Sequence, residues 1–226
     1  MRYQNITKGT FLTRPNRFIA HVLVDGEMVV CHVKNTGRCA ELLRPGVPVY
    51  LERAQNPARK TAFDLVAVEK GDLLINMDAQ APNRVFAEWA AEGWFLPEVQ
   101  VIQPEYRYGA SRLDFALTTP QGLHLVEVKG VTLEEGGHAR FPDAPTERGV
   151  RHLGELERAA AEGLGATAFF VIQMEGMTDF APNDATHPAF GEALRHAAEH
   201  SVRVEAWECA VTPESLRIVR PVEVRL

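Results

Sequence analysis

The segment SRLDFALTTPQGLHLVEVKGVTL holds the residues of this chain best suited to chemistry. β-rich runs at 111 to 119 and 123 to 133 flank Thr119-Pro120-Gln121-Gly122, a turn signal that folds them into a hairpin. In that register Asp114 faces Glu127, Arg112 faces Lys129, and all four share one sheet face. Opposed side chains have Cβ atoms roughly 4.5–5.5 Å apart, and two carboxylates so placed repel unless a cation lies between them. Hard oxygen ligands suit Mg²⁺ or Mn²⁺. Lys129, on the same face, is placed to orient and help deprotonate an attacking water. An ion-pair network on an exposed sheet would use the same four residues. The apolar neighbours Leu113, Phe115, Leu125, Val126 and Val128 argue instead for a largely buried strand pair, in which charges need a purpose. A close carboxylate pair also suits a retaining glycosidase. The adjacent lysine favours phosphodiesters.

The next stretch, EEGGHARFPDAPTERGVRHLGELERAAAEG, reads as a glycine-rich, irregular loop running into a helix from about 146 to 163 with Thr146 as its N-cap. A loop of that length in a compact domain is usually functional. Arg148, His152 and Glu155 become neighbours at helical spacing, and the helix start favours an anionic phosphate. His152 fits either a proton-transfer or a packing role. Gln173, at the end of ATAFFVIQ, could position water or phosphate.

Two units must position these residues. FIAHVLV, Asp25-Gly26 and EMVVCHV form a hairpin with the favoured two-residue turn. Further short strands around VPVYLERA and TAFDLVAVEKGDLLIN extend an all-β unit over residues 1 to 80, of a size that suits an OB-like five-stranded barrel. Asn83 is placed as the cap of a helix with apolar Val85, Phe86, Trp89 and Ala90, stopped by Gly93. Residues 81 to 226 then follow an α/β pattern, with a helix around AFGEALRHAAEH and closing strands near VRVEAWECAV and LRIVRPVEVRL.

The formal net charge of −6 averages two unlike segments. Residues 1 to 60 carry ten Lys and Arg against four Asp and Glu, a surplus of +6, which leaves −12 for the remainder. A basic first segment is compatible with nucleic acid, DNA or RNA. Lys34, Arg38 and Arg44 around the Asn35-Thr36-Gly37 turn, with Arg14 and Arg17, are the phosphate-contact residues it offers, and Phe18 or Phe11 a stacking surface. Arg112, Arg148 and His152 extend that surface into the second unit. Cys31, Cys39 and Cys209 match neither a zinc site nor a disulfide framework, which predicts reduced, buried thiols. No apolar run approaches the ~18 residues of a membrane span, so no membrane partner and a cytoplasmic location are expected.

The four ordered motifs HVKNTGRCAELLRPG, SRLDF, VEVKGVTL and FPDAPTERGVRHLGEL resemble the sugar fermentation stimulation protein A family over nearly the whole chain. The resemblance implies an N-terminal OB-fold, a C-terminal nuclease domain of the PD-(D/E)XK type and DNA binding. Asp114, Glu127 and Lys129 fall on its D…ExK positions, Glu88 on the additional acidic position of the preceding helix, and Gln173 on the glutamine after the core strand. The Val128 carbonyl would complete a metal site held by Asp114 and Glu127. Met174 and His187 stand where arginine and aspartate are common. The reading is a Mg²⁺-dependent nuclease; a non-catalytic nucleic-acid-binding regulator and a protein-binding β module are the alternatives.

Overall fold

The computed structural model describes residues 1–226 except Thr36 and Pro57, so the middle of the Asn35-Thr36-Gly37 turn lies outside the described residues. The chain opens with a strand the sequence reading missed, β1 (Ile6–Asn16). Gly9 and Pro15 hide it from a propensity reading. Gly9 has a steric reason to be there: a Cβ would meet Val22 Cγ1 at 2.6 Å and the Leu23 carbonyl at 2.9 Å on the neighbouring strand. That neighbour is β2 (Ile19–Val24), joined to β3 (Glu27–Val33) by Asp25-Gly26, whose φ values of 50° and 84° suit the primed hairpin turn.

With β4 (Pro48–Arg53), β5 (Phe63–Lys70) and β6 (Leu73–Asn76) the order is β3-β2-β1-β4-β5-β6. A parallel β3–β5 pairing, Cys31 opposite Phe63 through Val33 opposite Leu65, closes the first five strands into a barrel. The closed five-strand barrel is an OB domain. Its interior holds Phe11, Val22, Cys31, Leu51 and Leu65, each 2% exposed or less. Phe11 is therefore core, while Phe18 is 53% exposed.

The helix α1 (Ala81–Ala91) begins two residues before the expected cap Asn83. Pro82 takes its first turn, where the missing N–H costs nothing, and Gly93 at φ 82° follows its end. The strands β7 (Val101–Tyr108), β8 (Ser111–Thr119) and β9 (Gly122–Val131) then form a meander. The stretch expected to be an irregular loop is instead a hairpin, β10 (Leu133–Glu135) and β11 (His138–Phe141). Its turn residues Gly136 and Gly137 both have positive φ, which glycine alone adopts without strain. Next come α2 (Glu147–Ala161), capped by the Thr146 hydroxyl accepting from Gly149 N at 3.1 Å, and β12 (Gly165–Ile172). A short strand the sequence reading did not place, β13 (Asp179–Pro182), precedes α3 (Pro188–Glu199), β14 (Arg203–Thr212) and β15 (Ser215–Val224).

These nine strands make one mixed sheet in the order β10-β11-β13-β15-β14-β12-β9-β8-β7. Strands β9, β12 and β14 run parallel at its centre. One face buries Leu153 and Leu156 of α2 and Phe190 and Leu194 of α3; the other buries Phe86 and Trp89 of α1 among Phe95, Phe115 and Phe169. The result is a three-layer mixed α/β domain. Residues 1–3 bridge the barrel and the sheet: Tyr3 N donates to Glu214 O at 2.8 Å and Leu216 N to Met1 O at 3.1 Å, while the Tyr3 hydroxyl accepts from Asn76 Nδ2 at 2.8 Å. Cys31, Cys39 and Cys209 are buried free thiols, and burial pushes Cys31 and Cys39 up to about 12.

Candidate metal centre and nucleic-acid groove

The β8–β9 hairpin has the register expected from its turn, from Thr119 opposite Gly122 to Phe115 opposite Val126. Asp114 and Glu127 lie one position beyond that last pair, where the ladder gives way to a side chain: Val128 N donates to Asp114 Oδ2 at 2.8 Å. The other oxygen, Oδ1, accepts from Asn83 Nδ2 at 2.9 Å. Sequence reasoning missed Asn83, because it was placed at the helix cap; once the helix starts at Ala81, Asn83 points from its first turn.

Glu127 is 2% exposed. Its Oε1 accepts from both Lys129 Nζ and His152 Nδ1, while its Oε2 is buried with no hydrogen-bond partner. Arg148 Nε donates to His152 Nε2 at 3.3 Å, so the two partners assign the imidazole as the Nδ1–H tautomer. Burial pushes the Glu127 carboxyl upward, but the hydrogen bond from His152 and the charge of Lys129 outweigh it and hold the group below its usual range. Burial, and then the Glu127 charge, push Asp114 the other way, above its usual range. The two carboxylates are therefore unequally compensated. A buried, unpartnered carboxylate oxygen beside a destabilised carboxylate is a hard-oxygen donor set, and its chemistry fits a divalent cation such as Mg²⁺ or Mn²⁺.

Other expected site residues fall elsewhere. Glu88 is on the exposed side of α1, and its Oε2 lies 2.6 Å from the α-amino group of Met1. On its β7 side Arg112 pairs with Arg107, and its guanidinium lies 3.5 Å from Glu105, both side chains exposed; the ladder to β9 ends at Phe115 opposite Val126, short of Lys129. Glu155 turns to Arg158 at 2.6 Å instead of joining Arg148 and His152. Gln173 is 1% exposed, and its amide donates to Asn76 Oδ1 at 2.8 Å and Asp78 O at 3.1 Å, so it ties the barrel to the sheet.

The basic barrel surface divides by what each side chain already holds. Arg14 spends its guanidinium on the carbonyls of Gly37, Arg38, Arg17 and Asn35 at 2.7–3.0 Å, which makes it the staple of that loop. Lys34 is sunk among Asp78, Glu52 and Asp64 at 3.2, 3.7 and 3.8 Å. Neither is free for phosphate. Arg17, Arg38 and Arg44 are exposed. Arg17 also lines a cavity of about 380 Å³ between barrel and sheet, shared with Asn35, Gly130, Asp143, Thr146 and Gln173. Gly130 follows Lys129, and Thr146 caps the helix that carries Arg148 and His152, but neither Asp114 nor Glu127 lines this cavity. Among the described residues no helix is long and apolar enough to cross a membrane.

Comparison with known proteins agrees with this architecture. The family described as SfsA N-terminal OB domain matches residues 12–77, and that described as sugar fermentation stimulation protein RE domain matches residues 80–215. A sugar fermentation stimulation protein homolog of Desulfitobacterium hafniense (strain Y51) is 54% identical over 226 residues, covering 100% of this chain and 99% of that protein. The homolog of Clostridium beijerinckii is 50% identical over 226 residues, covering all of both chains. The solved structure of Pyrococcus furiosus SfsA in complex with Ca²⁺ superposes with a TM-score of 0.90 at 27% identity, covering 100% of this chain and 98% of the other. On the two family matches and the full-length relatives, the chain belongs to the sugar fermentation stimulation protein family.

Proposed function

We propose that this protein is a metal-dependent nuclease that hydrolyses phosphodiester bonds of DNA or RNA. Residues 1–80 would bind the nucleic acid and residues 81–226 carry the reaction. The observation that carries the reading is the buried Oε2 of Glu127, without a partner, next to an Asp114 carboxylate whose charge is disfavoured. The relative from Pyrococcus furiosus is described in complex with Ca²⁺, a cation of the same hard class.

Asp114, Glu127 and the Val128 carbonyl would hold Mg²⁺ or Mn²⁺. When bound, the cation supplies charge stabilisation at the phosphate and a lowered pKa for water. The protein's own groups do the rest. Asn83 and the Val128 N–H fix Asp114 in one rotamer. His152, held by Arg148, fixes Glu127. Lys129 Nζ sits on the Glu127 oxygen, where it can orient an attacking water and share its proton. Arg17 and Arg38 would hold the phosphate backbone.

Labelled DNA and RNA, single- and double-stranded, incubated with and without Mg²⁺ or Mn²⁺, should be cut only with metal. Glu127→Ala should abolish cleavage while the protein stays folded. Binding without cleavage under any divalent metal would leave the regulator reading in its place.

A further inference from the structure

A second cluster of ligands lies on the outer surface, away from the hairpin carboxylates. His196 lies in the last turn of α3 and His200 is its C-cap residue, four positions on, and Glu157 reaches them from α2, with one ligand atom of each within 4.8 Å of the others. Two features go beyond chance proximity. The imidazoles of His196 and His200 are stacked, with centroids 4.1 Å apart and planes 24° apart. His200 Nδ1 lies 2.7 Å from the His196 carbonyl, so that nitrogen carries the proton and the lone pair is at Nε2. A backbone carbonyl that fixes the tautomer in this way is a recurrent outer-shell partner of metal-binding histidine. His196 Nδ1 is 2.9 Å from Glu157 Oε2, which already draws the carboxylate to the pair.

We propose that Glu157, His196 and His200 form a site for a borderline divalent transition ion, of which Zn²⁺ is the representative. Two imidazoles and one carboxylate are the donor set that such ions accept and that Mg²⁺ does not. Three protein ligands leave the fourth position to water. The ion would join α2 to α3, and α2 is the helix that presses His152 onto Glu127. The role that follows is a brace that holds α2 against the sheet.

The test is calorimetric titration of the full-length protein with Zn²⁺ in excess Mg²⁺, which saturates the hard-oxygen centre, alongside the melting temperature. The wild type should bind one Zn²⁺ that His196→Ala and His200→Ala each weaken by about tenfold or more, and its melting temperature should rise with Zn²⁺ where theirs does not. Glu157→Gln should weaken binding less than loss of either imidazole. Glu127→Ala should leave this Zn²⁺ site intact, which separates its failure from failure of the nuclease reading. Equal Zn²⁺ affinity in the wild type and both histidine variants, or Zn²⁺ displaced by millimolar Mg²⁺, would overturn the proposal.

Discussion

Replacing Asp114 with asparagine should stabilise the metal-free protein while removing its response to metal. In the wild type the carboxylate keeps two hydrogen bonds, from Asn83 Nδ2 and Val128 N, and faces Lys129. Asparagine can keep both: its oxygen accepts from Val128, and its amide donates to Asn83 once that amide turns over. What is lost is the charge assistance, about 1 kcal/mol per bond, and the attraction to Lys129. What is gained is relief from burying a charge beside Glu127. The raised pKa of Asp114 says that relief is the larger quantity, because the folded state disfavours the ionised form despite all three compensating groups. The net gain should be about 0.5–2 kcal/mol, typical when a functional carboxylate is neutralised. At 2–4 °C per kcal/mol for a chain of this size, Asp114→Asn should melt roughly 1–8 °C above wild type in EDTA. A folded pKa above the unfolded one contributes stability at low pH that is lost as pH rises, so the gap should shrink as pH falls through the carboxylate range. With Mg²⁺ or Ca²⁺ at a hundred times Kd the wild type gains about 2.7 kcal/mol and the variant does not, so the order reverses. A variant that melts below wild type in EDTA, or that gains as much from Mg²⁺, refutes the reasoning.

Lys129→Ala should lower single-turnover cleavage by about 10² or more while nucleic-acid affinity changes little, as for an interaction made mainly in the transition state; equal rates would reduce Lys129 to an ion-pair partner of Glu127. Reversing charge at Arg17 and Arg38 should weaken binding across sequences and lower the log–log salt slope by about 2. Lys34→Met should instead cost about 1–3 kcal/mol in a urea melt, because it leaves Asp78 and Glu52 without their cation, while Asp64 keeps Arg59. His124 is pulled down to about 4 by burial and by Arg203. An unfolded histidine takes a proton from pH 6.5 downward while the folded one does not, so stability should fall by about 3 kcal/mol between pH 6.5 and 4; His124→Gln should remove that slope in denaturant titrations.

Turn chemistry and alternation were legible in the sequence; side-chain partnerships were not. Asp25-Gly26 and Pro120-Gln121-Gly122 dictate their hairpins locally, and the second fixes the register that brings Asp114 to Glu127. Thr146 reads as a cap because its hydroxyl needs only Gly149 N, three residues on. By contrast, β1 carries Gly9 because β2 passes too close for a Cβ, a tertiary demand with no local signal. Glu88 and Asn83 sit on one helix, and which of them reaches the site depends on where that helix starts. Arg14 and Lys34 count as two positive charges in any composition, yet the loop carbonyls and the acids Asp78, Glu52 and Asp64 that consume them arrive only with the fold.

The free positive surface is thus narrower than the +6 of the first 60 residues, and its position matters more than its size. Gln173 sits at the end of β12, where its backbone accepts from Asn76 N at 2.9 Å and its side chain donates to Asn76 Oδ1 at 2.8 Å. Lys70 of the barrel adds a contact to Glu134 of the β10–β11 hairpin at 2.5 Å. These bonds seat the barrel on the ends of β9 and β12, and Arg17 shares a cavity there with Gly130 and Gln173. A phosphate guided there by arginine meets two carboxylates in the more acidic part of the chain. Arg148 and Lys129 offset part of that repulsion, but Lys129 is already engaged by Glu127. An anionic substrate can approach closely only if the carboxylate charge is neutralised first. On the proposed nuclease reading, the same electrostatics that disfavour Asp114 would favour metal before nucleic acid, and productive binding would be ordered: in a binding titration, nucleic acid should gain affinity at this site only once divalent metal is present.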